Sequence, residues 1–144
     1  MLGKSVQLPV SKAPQFAELL GKLKASAAEK GYGDQIYVQG SRAAGTATPE
    51  SDLDIAIRVT PHKFQEILKQ AFNGAKPPSK DLPNGNAVWR AMQEASEQGR
   101  IFRGEIGMHG LGVEMEKGLG IKQVQITIIR AGGAFENGPF VPVD

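Results

Sequence analysis

Asp52 and Asp54 lie two residues apart in Ser51-Asp52-Leu53-Asp54-Ile55-Ala56-Ile57. Successive side chains of a strand point to opposite faces. An extended segment here therefore aims both carboxylates at one point and turns Leu53, Ile55 and Ile57 toward an interior. Two carboxylates so close repel each other. A divalent cation removes that repulsion, and hard carboxylate oxygens favour Mg²⁺ or Mn²⁺, ions that keep waters and substrate phosphates in their shell. Asp54 is the more telling of the two, because an unpaired charge inside an apolar strand is costly and signals a partner such as a cation. Upstream lies Gly40-Ser41, with Asp52 and Asp54 following Gly40 by 12 and 14 residues. Minimal side chains there let backbone N–H groups approach an anion, and if Ser41 opens a helix its dipole adds to the attraction. Arg42 follows, placed to touch a triphosphate. A small-residue turn and an acidic pair are the parts that metal-dependent phosphoryl transfer requires. Each residue taken singly has a plainer reading: Gly40 as an ordinary turn glycine, Asp52 as an acceptor of turn hydrogen bonds, Arg42 as a solvated side chain.

The elements that must position these groups alternate between the two secondary-structure periods. Phe16, Leu19, Leu20, Leu23 and Ala27 form an apolar stripe that predicts a helix over 14–30, with Pro14 in its first turn and Gly31 just past its end. A strand over 35–39 runs into Gly40-Ser41, a short helix follows near 42–46, and a strand spans 53–59. Thr60-Pro61 opens a helix over 61–72 with Phe64, Ile67, Leu68 and Ala71 on one face. Residues 74–86, with three prolines and two glycines, read as a loop placed to cover the site. A helix over 86–98 uses Val88, Trp89, Met92 and Ala95. An extended piece at 100–103, a helix near 109–118 and a strand over 121–130 complete the pattern. Residues 131–140 are too rich in glycine for a regular element and read as a packed or mobile tail. The fold class is α/β (α+β): a small mixed sheet flanked by helices, the size of a minimal nucleotide-handling core.

The chain has 144 residues, 17 basic against 15 acidic, and a formal charge of +2. That length fits a single domain over 1–144, able to bury about two thirds of its unfolded surface. The charge balance neither demands nor excludes nucleic acid, since no strongly basic run is present. No cysteine occurs, which excludes disulfides and thiolate metal sites. No apolar run approaches the ~20 residues of a membrane-spanning segment, and no signal peptide is visible at Met1. His62 and His109 lack metal-ligand spacing and are set aside. Trp89 and Phe102 read as core. Arg100, Arg103 and Lys122 read as surface cations before phosphate or acceptor ligands.

Residues 36–59 resemble the signature of the DNA polymerase beta nucleotidyltransferase superfamily: Gly-Ser, a spacer, then Asp-x-Asp at the start of a strand. The resemblance implies that Gly40 and Ser41 hold the distal phosphates of an NTP, with Arg42 and Ser51 beside them. It implies that Asp52 and Asp54 are the catalytic, metal-binding pair, with Mg²⁺ or Mn²⁺ as cofactor. It further implies a third carboxylate on a later strand beside the Asp-x-Asp strand. The expected strand, Ile121 to Ile129, contains no acid, and Gln125 stands where that carboxylate belongs. An amide oxygen is a weaker metal ligand and cannot act as a general base. Either Glu105, Glu114 or Glu116 supplies the charge from elsewhere, or catalysis is impaired.

The run from Arg103-Gly104-Glu105 through Leu111-Gly112-Val113-Glu114 and Ile128 to Pro139 resembles, more loosely, the nucleotidyltransferase-type toxin domains at the C-terminal ends of bacterial polymorphic and contact-dependent inhibition toxins. That resemblance implies that the domain is the C-terminal part of a larger secreted protein, acting in the target-cell cytoplasm. It implies a tRNA or protein acceptor and a cognate immunity protein. Two alternatives stand beside it: a nucleotidyltransferase-type antitoxin that modifies a partner ribonuclease, and a module that binds nucleotide or a partner without turnover because of Gln125.

Overall fold

The computed structural model describes residues 6, 8, 12–136 and 140–143. In chain order its elements are α1 (Ala13–Glu29), β1 (Ile36–Gln39), α2 (Ser41–Ala44), β2 (Leu53–Val59), α3 (Pro61–Ala71), α4 (Ala87–Gln98), β3 (Arg100–Phe102), α5 (His109–Leu119), β4 (Val124–Arg130) and β5 (Val141–Pro142). The strands form one mixed sheet in the order β3-β4-β2-β1-β5. β2 and β4 run parallel, and every other pairing is antiparallel. A parallel pair cannot be joined by a hairpin, so the chain between β2 and β4 makes the long crossover through α3, α4, β3 and α5.

Alternation gives the sheet two unlike faces. Ile36, Ile57, Ile128 and Ile101 form one row across four strands, with Val38, Ile55 and Ile126 beside it. All seven are buried, packed in one cluster with Phe16, Leu20 and Leu23 of α1, Phe64 and Ile67 of α3 and Met115 of α5. Full burial of such side chains stabilises by roughly 1.5–3 kcal/mol each. On the opposite face the rows are Gln39, Asp54 and Gln125, and then Tyr37, Ala56, Thr127 and Phe102.

The helices begin and end where the sequence signals them. The Thr60 hydroxyl accepts from Lys63 N at 3.1 Å ahead of α3, and the Asn86 side chain accepts from Trp89 N at 2.8 Å ahead of α4. Four boundaries or placements depart from expectation. β4 starts at Val124 and not at 121, because Ile121 N still bonds the Glu116 carbonyl and keeps the chain turned at the end of α5. The C-terminal region supplies a strand, β5, paired to β1 through Tyr37 with Pro142 and Val38 with Val141. The loop 74–86 closes on itself: Asn86 donates to Gly74 O, Lys76 N bonds Asn86 Oδ1, and Ser79 and Leu82 bond each other. Among the described residues none of its hydrogen bonds reaches Gly40, Ser41, Asp52 or Asp54. Phe102 and Trp89 are not core either: Phe102 is 40% exposed, and half-buried Trp89 lies over Gly85.

Arg103 ties the crossover to the sheet. Its guanidinium donates to Glu116 Oε2 at 3.0 Å and to the Val124 carbonyl at 2.9 Å, while Val124 N donates to the same Glu116 oxygen at 2.9 Å. The side chain passes over Gly112, where an added Cβ would stand 2.1 Å from Arg103 Nη1. Gly112→Ala must therefore displace the guanidinium and leave a half-buried carboxylate and a strand carbonyl short of partners. Such a loss costs about 1–3 kcal/mol. Gly110→Ala, two residues earlier in open space, exchanges glycine for the best helix former and should gain up to ~1 kcal/mol. Urea unfolding of the two variants tests this: opposite shifts of midpoint are expected, and equal shifts would remove the Arg103 account.

Candidate active site

Gly40 turns the chain between β1 and α2 at φ +80 and ψ −157, a backbone conformation open to glycine alone without strain. The turn closes with Ala43 N and Ala44 N on the Gly40 carbonyl and Thr46 N on the Ser41 carbonyl. A Cβ at Gly40 would lie 3.8 Å from Asp54 Cβ and 3.9 Å from Asp54 Oδ2. The small-residue turn thus lies beside the acidic strand, with room for no more than a methyl group between Gly40 and Asp54. That follows from the antiparallel register, in which Gln39 pairs with Asp54 and the next residue, Gly40, bends past it.

Asp54 is half-buried and Asp52 exposed. Burial pushes the Asp54 carboxyl above the usual carboxylate range; the Gln39 amide and the Arg100 charge pull it back, and Asp52 pushes it further up. Amides hold the pair from either side. Gln39 Nε2 donates to Asp54 Oδ2 at 3.4 Å, and Gln125 Nε2 donates to Asp52 Oδ2 at 3.4 Å. Gln125 also pairs with Asp54 in the parallel β2–β4 register. The strand and the position expected for a third carboxylate are both in place, occupied by an amide.

None of the three glutamates makes good that charge. Glu116 is bonded to Arg103 and Val124 N, Glu114 pairs with Lys22 at 2.8 Å on the surface between α5 and α1, and Glu105 sits in the turn after β3 beside Phe72 and Ala95. Among the described residues no three of His, Cys, Asp and Glu come together. A Mg²⁺-type cation nonetheless fits the donor set, since one or two carboxylates plus waters and substrate phosphates is its usual complement. Asp52 and Asp54 supply the two carboxylates, and Gln125 has an amide oxygen that a rotation would present.

Arg42 is turned into the fold. Its side chain is 4% exposed, and its guanidinium donates to the Ser51 carbonyl at 3.2 and 2.9 Å and to the Thr48 carbonyl at 3.5 Å. Burial pushes it below the ordinary arginine value, opposed by Asp52. It pins the loop between α2 and β2, and so fixes where Asp52 begins. Ser51 belongs to the same turn, its hydroxyl accepting from Thr48 N at 2.9 Å. Ser41 is half-buried at the head of α2. Of the remaining cations, Arg103 is committed to Glu116, and Arg100 lies 3.7 Å from the Phe135 ring centroid and 4.6 Å from that of Phe102.

Two contributions were not legible beforehand. Gln39 is 6% exposed, and its amide bridges Asp54 and the Phe135 carbonyl, to which it donates at 3.3 Å. Glu136 takes Arg58 Nε at 2.8 Å and also accepts from Gly132 N, so residues 131–136 lie along the polar face of the sheet. The Gly132 N–H, then the Arg58 guanidinium, hold the Glu136 carboxyl below its usual range against its partial burial. The alternation that paired Asp52 with Asp54 offered the one available signal: Gln39 ends a strand immediately before Gly40.

The sequence model of the nucleotidyltransferase domain family matches residues 20–103, more than half of the chain. The match contains Gly40, Ser41, Asp52 and Asp54 and ends before Gln125. No curated protein and no solved structure matches the chain. On that family match this chain belongs to the nucleotidyltransferase domain family, whose chemistry is nucleotidyl transfer.

Proposed function

We propose that the domain transfers a nucleotidyl group from an NTP to a hydroxyl of tRNA or protein, as an interbacterial toxin domain carried at the C-terminal end of a larger protein and neutralised by a cognate immunity protein. The observation that carries the chemistry is the placement of the Gly40 turn beside Asp54, with Asp52 held one residue ahead of the strand. Asp52 and Asp54 would hold a divalent cation, which when bound offsets phosphate charge and polarises the reacting phosphoryl group. Gly40 and Ser41 offer backbone and hydroxyl donors to the distal phosphates, with Ser51 at the mouth of the loop that Arg42 pins. The acceptor oxygen attacks the α-phosphate, and pyrophosphate leaves toward the turn. Little covalent work falls to the protein in such a step, so positioning and charge neutralisation account for most of the rate. The toxin assignment draws on the resemblance through Arg103-Gly104-Glu105, Leu111-Gly112-Val113-Glu114 and the C-terminal segment.

A second reading has its own support. Gln125 faces Asp54 with an amide donated to Asp52, the arrangement of a domain that binds nucleotide or a partner without turnover. Calorimetry against incubation with α-labelled NTP, Mn²⁺ and cell lysate separates the two. Label in the RNA or protein fraction supports transfer, and tight binding without label in either supports the non-catalytic module.

Asp52→Ala combined with Asp54→Ala should abolish both Mn²⁺-dependent nucleotide binding and growth arrest on expression. Undiminished toxicity in the double variant would overturn the mechanism. The raised Asp54 value gives a second expectation. A carboxyl that holds its proton more tightly folded than unfolded contributes most stability below the ordinary carboxylate range and loses it as pH rises through the folded-state value. Without cation, neutral Asp54→Asn should therefore melt higher than the natural protein at pH 7, the gap narrowing as pH falls through the carboxylate range. With Mn²⁺ and NTP at about 100 times Kd the order should reverse, since binding then adds about 2.7 kcal/mol to the natural protein alone. Thermal scans showing no gap in cation-free buffer would contradict the strained-carboxylate account.

A further inference from the structure

The cleft beside Gln125 holds a group that the reading above leaves unused. β3 ends at Phe102, paired with Thr127, and leaves the first residues of β4 without a neighbour on that edge. A cleft of about 280 Å³ opens there, lined among others by Phe102, Arg103, His109, Gln123 and Gln125. Gln125 is the residue that faces Asp54 and donates to Asp52. Gln125 therefore stands between the cleft and the acidic pair on the β4 side, while the Gly40 turn lies on the β1 side.

That placement gives the site a direction. Displacement at phosphorus runs with attacking and leaving oxygens roughly in line. If pyrophosphate departs toward Gly40 and Ser41, the attacking oxygen enters from the opposite side, where the cleft lies. An attacking hydroxyl needs a group to take its proton. Gln123 and Gln125 are amides, Phe102 has no acceptor, and Arg103 is a cation already bonded to Glu116 and the Val124 carbonyl. His109 remains, exposed as the first residue of α5. Imidazole is the general base most often used by enzymes.

We propose that this cleft receives the acceptor hydroxyl and that His109 is its general base, serving in place of the carboxylate missing at Gln125. In the step the acceptor O–H bond breaks and its proton passes to the imidazole. The acceptor oxygen bonds the α-phosphorus, and the bond from that phosphorus to the bridging oxygen breaks, its electron pair leaving with pyrophosphate. Phe102, 40% exposed, forms the apolar wall against which the acceptor lies. The assignment rests on the nucleotidyl-transfer reading of Asp52 and Asp54.

The chain's two histidines make a direct test. His62 stands at the start of α3, beyond the far end of β2, on the order of 17–20 Å along the strand from Asp54. Substoichiometric Mn²⁺ with an ATP analogue carrying a methylene between its α- and β-phosphates should broaden the imidazole NMR signals of His109 far more than those of His62. Asp52→Ala with Asp54→Ala should leave both sharp. His109→Ala should keep its calorimetric affinity for the Mn²⁺ analogue but lose about 10²–10⁴-fold in label transfer from α-labelled ATP to lysate RNA or protein. Added imidazole should restore part of that rate, which a merely structural role would not allow. Absence of Mn²⁺ analogue binding removes the whole nucleotidyl-transfer reading. Binding with His109 no more broadened than His62, or His109→Ala transferring label at the natural rate, overturns the His109 assignment alone.

Discussion

A carboxylate held half out of water at the mouth of an apolar strand is the constraint that the rest of the site answers. Asp54 sits between Leu53 and Ile55, both fully buried, and beside a second carboxylate. Left alone, that arrangement is unfavourable twice over, through desolvation and through like-charge repulsion. Each neighbour reduces one of these costs without removing it. Gln39 gives one amide donor to Asp54, Gln125 gives one to Asp52, and Arg100 contributes a favourable field. Neutral amides at 3.4 Å are weak compensation for ionised oxygens. What remains is a site on the sheet where positive charge would be favourable, which is the feature that the proposed cation site rests on.

The C-terminal segment belongs to the same account. Gln39 reaches Asp54 and the Phe135 carbonyl through the same nitrogen, while its buried Oε1 lacks a hydrogen-bond partner among the described residues. Arg100 is similarly shared, its charge felt by Asp54 and its guanidinium stacked on Phe135. Two side chains thus couple the acidic pair to a stretch of chain more than 80 residues away in sequence. Of the glycine-rich stretch expected to be a packed or mobile tail, residues 131–136 are packed, held by the ion pair of Arg58 with Glu136, and β5 pairs with β1 beyond it.

Legibility followed the range of the interaction. Period-two alternation in 53–59 and the stripes of α1 and α3 are local signals, and they located β2, α1 and α3 to within a residue. The Gly40 turn was legible because its reason is local as well, a backbone conformation that one residue type adopts freely. What sequence could not convey were choices made by partners distant along the chain. Arg42 looked like a phosphate ligand because it follows Gly-Ser, but the carbonyls of Ser51 and Thr48 were closer claimants. Phe102 looked like core because it is aromatic, but β3 ends there and leaves the ring at the sheet edge. Arg103 and Glu116 seemed available for the site until the fold joined them to Val124. His109 carried no local mark at all, and only the crossover through α5 brings it to the cleft of Gln125.

The geometry of the pair is finally a property of the core and not of the pair. Asp54 meets Gln39 on one side and Gln125 on the other because β1, β2 and β4 share one register, and that register is held by the opposite face. Ile36, Ile57, Ile128 and Ile101 occupy one row and Val38, Ile55 and Ile126 the next. A slip of β2 by one residue would turn Leu53, Ile55, Ile57 and Val59 away from the core and Asp54 toward it. At roughly 1.5–3 kcal/mol for each such side chain, the penalty exceeds anything the weak amide contacts could contribute toward alignment. The polar row is therefore aligned passively, as the other side of a hydrophobic decision. The placement of Gln125 opposite Asp54 is thus set by the apolar face, and its amide contact with Asp52 follows from that register.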